Sequence, residues 1–281
     1  MLNIINAQLL KLNKILIKNF KLKITRESAD NDPILYNSPD ELKNLFLKQK
    51  IRKNDLFLIP VEICLWGYGF RYLESEHPFI AFLKNDLNLF TWYENFTPNT
   101  IAEAYFLDEI DNTKVRHNVS TSGVFDDVGY KELPPFIRGR VETGNKESPL
   151  GHSDGVQFHG PVSRRKVEWE ISRLNTTYMS IKKYGYRPDS LKFDGHIFGQ
   201  FIKIDKEFRF QVLSGRHRAA CLAALGIKHL PVKIYPDGGG IVPLVSKDFI
   251  VNETLLSITD SITSLNSISK RERIINISKN S

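Results

Sequence analysis

Between Phe208 and Ile234 the chain reads FRFQVLSGRHRAACLAALGIKHLPVKI. Phe208, Phe210 and Val212 alternate as they do on one face of a strand. Gly215 breaks that alternation, and a short helix rich in Ala219, Ala220, Ala223 and Ala224 runs to Gly226. LPVKIY then returns to strand character. Strand, glycine, helix and strand in such quick succession give this half of the chain mixed character, α+β or α/β. The alanines let the helix approach its neighbour closely.

Arg216, His217 and Arg218 follow the glycine directly, at the positive end of the helix dipole, where acidic residues are favoured. A glycine between strand and helix leaves backbone N–H groups pointing outward at the helix start, a ready anion site. Arginine suits phosphate because its planar fork donates two parallel hydrogen bonds. A phosphate held by Ser214, Gly215, Arg216, His217 and Arg218 is therefore one reading. The other is that the arginines pair with acids elsewhere in the fold and His217 is a satisfied core residue.

Upstream, Ser163 caps a helix in which Val167, Ile171, Leu174, Tyr178 and Ile181 recur in alternating steps of four and three. Lys182 and Lys183 suit its C-terminal end, Gly185 the left-handed cap, and Pro188 prevents resumption. HIFGQFIKI and FRFQVL read as two strands with Asp205-Lys206 in the turn between them.

The first half is less well punctuated. Ser38-Pro39-Asp40-Glu41 opens a helix with a cap and a capping-box glutamate. LFLIPVEICLW, Leu56 to Trp66, is β-prone, with Pro60 interrupting the run or confining it to an edge. HPFIAFLKNDLNLFTWYENF carries Phe79, Phe82, Leu83, Leu87 and Phe90 at helical spacing, an aromatic stripe that reads as core. From about Asn112 to Gly160 glycine, proline, serine and aspartate accumulate, which marks a long connection or lid. The reading divides the chain into an α/β region of unassigned fold at 1–110, this connection at 111–157, a second α/β unit at 158–245 and a tail at 246–281 that holds one peripheral helix.

The 281 residues carry a net charge of +7, which points to anionic partners without choosing among them. Two cysteines, Cys64 and Cys221, form neither a disulfide framework nor a paired metal motif, so a reduced cytoplasmic setting is expected. The N-terminal MLNIINAQLLKLNKILIKNFKLKI is interrupted by five lysines and lacks the apolar run of a spanning helix. It reads as a helix packed on its own domain, with peripheral membrane contact as the alternative.

Taken in order, Ser180-Ile181-Lys182-Lys183-Tyr184-Gly185 with Pro188 beyond, a strand pair, Ser214 to Ala220 with Gly226, and the strand Pro231 to Ile234 resemble the ParB/sulfiredoxin superfamily. Gly160 to Arg165 loosely resembles the family's first conserved box. The resemblance covers about residues 158 to 236. It implies a small mixed sheet with packed helices, of α+β or α/β class, and a turn that holds the phosphates of ATP or CTP, usually with Mg2+. Gly215 to Arg218 would cradle phosphate, and Arg164 and Arg165 would assist.

The resemblance also implies a choice of activities: phosphoryl transfer or hydrolysis on a small-molecule substrate, non-catalytic nucleotide sensing, or DNA binding. Arg216 stands where sulfiredoxins have cysteine, which argues against sulfinic-acid reduction. Few residues follow Ile234, which argues against the helix-turn-helix module of partitioning proteins. Phosphoryl transfer needs a base and metal-holding groups. His217, Asp194, His196 and Asp205 are the candidates, since no Walker or protein-kinase signature is present. His152, Asp154 and His159 include metal-ligand types; the more economical reading of their loop is a cover that brings His159 and Arg164 towards the phosphates.

Overall fold

The computed structural model describes residues 34–36, 55–66, 69–98, 150, 154–155, 157–188, 195–204, 207–234 and 265–280. The helix expected at Ser38, the basic N-terminal segment, Asp194, Asp205 and His152 lie outside them.

Among the described residues seven strands form one mixed sheet: β1 (Ile34–Leu35), β2 (Leu56–Pro60), β3 (Cys64–Trp66), β4 (Phe70–Arg71), β5 (Ile197–Ile204), β6 (Glu207–Ser214) and β7 (His229–Ile234), in the order β1-β2-β7-β5-β6-β3-β4. β5 and β6 are antiparallel along their whole length, as the strand-pair reading requires. β5 and β7 are parallel, β3 and β6 are parallel, and β2 is antiparallel to β7. Strands from 34–71 and from 197–234 thus hydrogen-bond to one another, and the boundary placed near residue 158 does not divide the sheet.

Pro60 ends β2, and a single 3-10 turn, Val61–Ile63, leads into β3. Three strands stand between β2 and β3 in the sheet. Four Cα steps reach at most about 14 Å, whereas four strand spacings of a flat sheet cover roughly 19 Å. The sheet is therefore curled. The Cys64 thiol donates to the Pro60 carbonyl at 3.3 Å, and Tyr36, just after β1, stacks on Phe201 of β5 with ring centroids 5.9 Å apart. Gly199 supplies part of the bend: the β5–β6 register shifts between Phe198 and Gly199, and a Cβ at Gly199 would meet the Gln211 carbonyl oxygen at 2.2 Å and the Phe210 ring.

Phe57, Ile59, Trp66, Ile197, Phe201 and Phe210 are fully inaccessible and line the concave face. Against this side of the molecule lie α1 (Pro78–Leu83), α2 (Leu89–Asn95), α3 (Arg164–Tyr184) and α4 (Arg216–Ala224). The expected stripe over 79–90 breaks into α1 and α2 because Asn85 takes a positive φ of 62° and Asn88 caps a new helix, its side chain accepting from the Phe90 amide. α3 matches its sequence signals: the Ser163 hydroxyl accepts from the Lys166 amide at 3.1 Å, and Gly185 ends the helix at φ 79°.

The tail helix, α5 (Leu265–Asn280), packs on α2 and is anchored more firmly than a peripheral helix. Arg271 is fully buried and its Nε donates to Glu76 Oε2 at 3.2 Å. Glu76, also fully buried, receives the Arg71 Nε at 2.5 Å. The Asn95 amide adds a 3.3 Å hydrogen bond to the Ser278 hydroxyl.

Candidate functional site

β3 and β6 run parallel, so their carboxyl ends reach the same edge of the sheet. At such an edge the loops that follow the strands build ligand sites in α/β folds. Here β6 ends at Ser214, Gly215 turns the chain, and α4 begins. Gly215 has the left-handed conformation, φ 76° and ψ 23°, and no side chain caps the helix. A Cβ there would come 3.0 Å from the Ile197 Cα, 3.2 Å from the His196 carbonyl oxygen and 3.2 Å from the Arg218 Nη2. The glycine is thus required both by its φ and by the backbone packed beneath it.

This contact brings His196 to the turn. The Tyr186 hydroxyl holds its segment, donating to the Gly195 carbonyl and accepting from the Ile197 amide at 3.2 and 3.1 Å. The His196 ring itself is buried against Phe198.

Ser214, Gly215, Arg216 and Arg218 are half-buried, while His217 points inward. His217 Nε2 lies 2.5 Å from Glu170 Oε2, and the ring stacks on Phe79 with centroids 5.4 Å apart. The other oxygen of Glu170 faces the Lys166 ammonium at 3.0 Å. Burial alone would raise the Glu170 carboxyl, but the attraction of His217 and Lys166 outweighs it and holds the group well below the usual carboxylate range. Burial lowers the pKa of His217, with Glu170 opposing. The arrangement is a buried carboxylate held between the Lys166 ammonium and the His217 ring. Of the two sequence readings of His217, its surroundings are those of the satisfied core residue.

Glu170 and Lys166 were not singled out from the sequence. The signal was there for Glu170: it follows Val167 by three residues and precedes Leu174 by four, so it interrupts the buried seam of α3.

Arg216 extends towards the segment before α3. Its guanidinium lies 4.7 Å from the centre of the Phe158 ring, with longer contacts from Nη1 to Gln157 Oε1 at 3.5 Å and from Nε to the Val212 carbonyl at 3.4 Å. Gln157 also reaches the pair behind it, its Nε2 lying 3.4 Å from Glu170 Oε2 and 3.3 Å from His217 Nε2. The segment is anchored from below. The Tyr93 hydroxyl donates to the Gln157 carbonyl at 2.9 Å, and Gly160, after which the peptide to Pro161 is cis, donates to the Phe96 carbonyl at 2.7 Å.

The other expected residues separate. His159 is fully buried, with Nδ1 2.7 Å from the Gly160 carbonyl oxygen, so its ring faces the core and not a surface where phosphate would lie. Asp154 accepts the Ser163 hydroxyl at 2.5 Å and so stands at the start of α3, where a carboxylate suits the helix dipole. Arg164 is largely exposed and pairs with Glu168 at 2.8 Å; Arg165 is exposed. Among the described residues no group of three or more His, Cys, Asp or Glu side chains is placed to hold a metal ion.

α3 and α4 are parallel: Glu170 meets His217, and one turn on the Cys221 thiol donates to the Leu174 carbonyl at 3.7 Å. Both positive helix ends therefore lie at the same end of the pair, and neither first turn contains an acidic residue. At α3 the Asp154–Ser163 pair offsets the dipole; at α4 no side-chain cap does. Arg164 and Arg165 stand about 9 and 7.5 Å farther along α3 than the level of His217, at about 1.5 Å per residue. Comparison with protein-family models, curated proteins and solved structures returns no match for this chain.

Proposed function

We propose that the chain binds the phosphates of a nucleoside triphosphate, ATP or CTP, at the Ser214–Arg218 turn, in the manner its ParB/sulfiredoxin resemblance implies. One observation carries this reading: α4 starts at a left-handed glycine with no side-chain cap and no acid in its first turn, yet bears Arg216 and Arg218 there. First-turn amides and two guanidinium groups together suit a polyanion. Ser214 would add a hydroxyl, and the Arg218 guanidinium lies 3.2 Å from where a Cβ at Gly215 would sit. Magnesium would arrive on the phosphates and keep much of its water, as it commonly does.

Binding is better supported than phosphoryl transfer. The only histidine in the motif, His217, is buried and engaged by Glu170 within the fold. It fits a part that shapes the turn from behind.

The test is thermal unfolding of the full chain with ATP, CTP and inorganic triphosphate, with and without magnesium. A ligand at about a hundredfold excess over its Kd raises the midpoint by roughly 5–10 °C. Arg218→Ala abolishes that rise. No rise with any of the three, or an equal rise in Arg218→Ala, overturns the assignment.

A further inference from the structure

At the start of α1 lies a second feature, separated from the Gly215 turn by the Phe79 and Phe158 rings. His77, Trp66 and Tyr72 are fully or almost fully buried, with exposures of 0, 0 and 1 %. Their rings touch: the His77 centroid is 4.8 Å from that of Trp66 and 4.6 Å from that of Tyr72. Among the described residues, the His77 Nε2, the Trp66 Nε1 and the Tyr72 hydroxyl all lack a hydrogen-bond partner. The Trp92 Nε1 is in the same condition, and its ring lies 6.1 Å from that of Trp66.

These groups have a common chemical sense. His77 Nδ1 accepts from the Phe79 amide at 3.2 Å, so the proton of the neutral ring must sit on Nε2, which makes that atom a donor. The indole N–H can only donate. Burial pushes the Tyr72 hydroxyl well above its ordinary pKa, so it too keeps its proton. Leaving one buried donor unmet costs about 1–3 kcal/mol, and several such groups in ring contact call for a shared acceptor.

We infer that His77, Trp66 and Tyr72 form an enclosed receptor for one small carboxylate anion, which accepts from all three. A carboxylate has the matching chemistry: two oxygens, several lone pairs and no proton to give. A positive charge lies nearby, since the Arg216 guanidinium covers the Phe158 ring at 4.7 Å and that ring packs on Trp66 at 5.1 Å. Phe158 stands between Arg216 and the indole.

Formate and acetate are the probes, titrated into the full chain at matched ionic strength in sodium chloride, with tryptophan emission and the thermal midpoint as readouts. At least one produces a saturable change in both. Tyr72→Phe weakens that response about tenfold, and without the anion it unfolds at a temperature no lower than the parent, because the hydroxyl it removes bonds to none of the described residues. His77→Phe weakens the response likewise, and Arg218→Ala preserves it. The inference is overturned if neither probe gives a saturable response, or if the response survives both aromatic variants. Loss of the response in Arg218→Ala would assign the anion to the turn instead. A lower midpoint for anion-free Tyr72→Phe would show that the hydroxyl already has a partner.

Discussion

Glu170 Oε2 and His217 Nε2 lie 2.5 Å apart, joining residues 47 positions apart in sequence across the seam of two parallel helices. Lys166, one turn before Glu170, supplies the balancing charge. Glu170→Gln keeps the shape but leaves the nearly buried ammonium without its carboxylate. Breaking a buried pair in this way costs about 3 kcal/mol, read as a lower urea midpoint. Glu170→Gln with Lys166→Met recovers part of that loss, because the second change removes the stranded charge. Independent, additive losses in the two single variants would refute the pairing.

Much of the helical layer was legible because its signals are local. Ser163, Gly185 and Pro188 bound α3 through backbone conformation and capping, which depend on neighbours in sequence. The strand pair and α4 followed from alternation and from Gly215. The curl of the sheet was not legible: it rests on the pairing of β2 with β7 and β3 with β6, contacts between segments more than a hundred residues apart. The inward turn of His217 was hidden for the same reason, since Glu170 and Phe79 come from other elements. For α5 the sequence showed isolated apolar residues; its buried anchor is a charged one, Arg271, whose partner stands 195 positions earlier.

Gly215→Ala tests the turn. An L-residue held at φ 76° costs about 1–2 kcal/mol, and the new Cβ crowds the Ile197 Cα at 3.0 Å and the Arg218 guanidinium at 3.2 Å. The variant loses stability by at least that amount in urea unfolding, and it binds triphosphate more weakly because Arg218 is displaced. Unchanged stability would mean that the backbone at 215 is not left-handed.

Arg271 ties α5 to the rest of the molecule through Glu76, with Arg71 on the same carboxylate. Arg271→Leu removes one partner and leaves the other, so the cost is about 3 kcal/mol, at the low end for a broken buried pair. Limited proteolysis should then release a C-terminal fragment while the sheet stays resistant. Ser278→Ala removes only the 3.3 Å contact with Asn95 and the hydroxyl's bond to the Ile274 carbonyl, and costs roughly 1 kcal/mol. If the two variants release the fragment equally fast, the ion pair is not the anchor.

His77 predicts how stability depends on pH. Burial, reinforced by His217 nearby, lowers its pKa from 6.5 to about 3. In the unfolded chain the ring takes a proton as pH falls through 6.5, while in the folded protein it stays neutral to about 3. The unfolded state therefore binds more protons across that window, and stability against unfolding rises with pH there. The contribution is complete above 6.5 and is lost on acidification at a limiting slope of about 1.4 kcal/mol per pH unit. His217, also lowered by burial, acts in the same direction, so the parent slope exceeds that of one histidine. Urea unfolding of His77→Phe between pH 4 and 7 isolates the first contribution: the absolute stability changes with the lost cap on Phe79, but the slope falls by one proton. An unaltered slope would mean that His77 is protonated in the folded protein, and its Nδ1 could then not accept from the Phe79 amide.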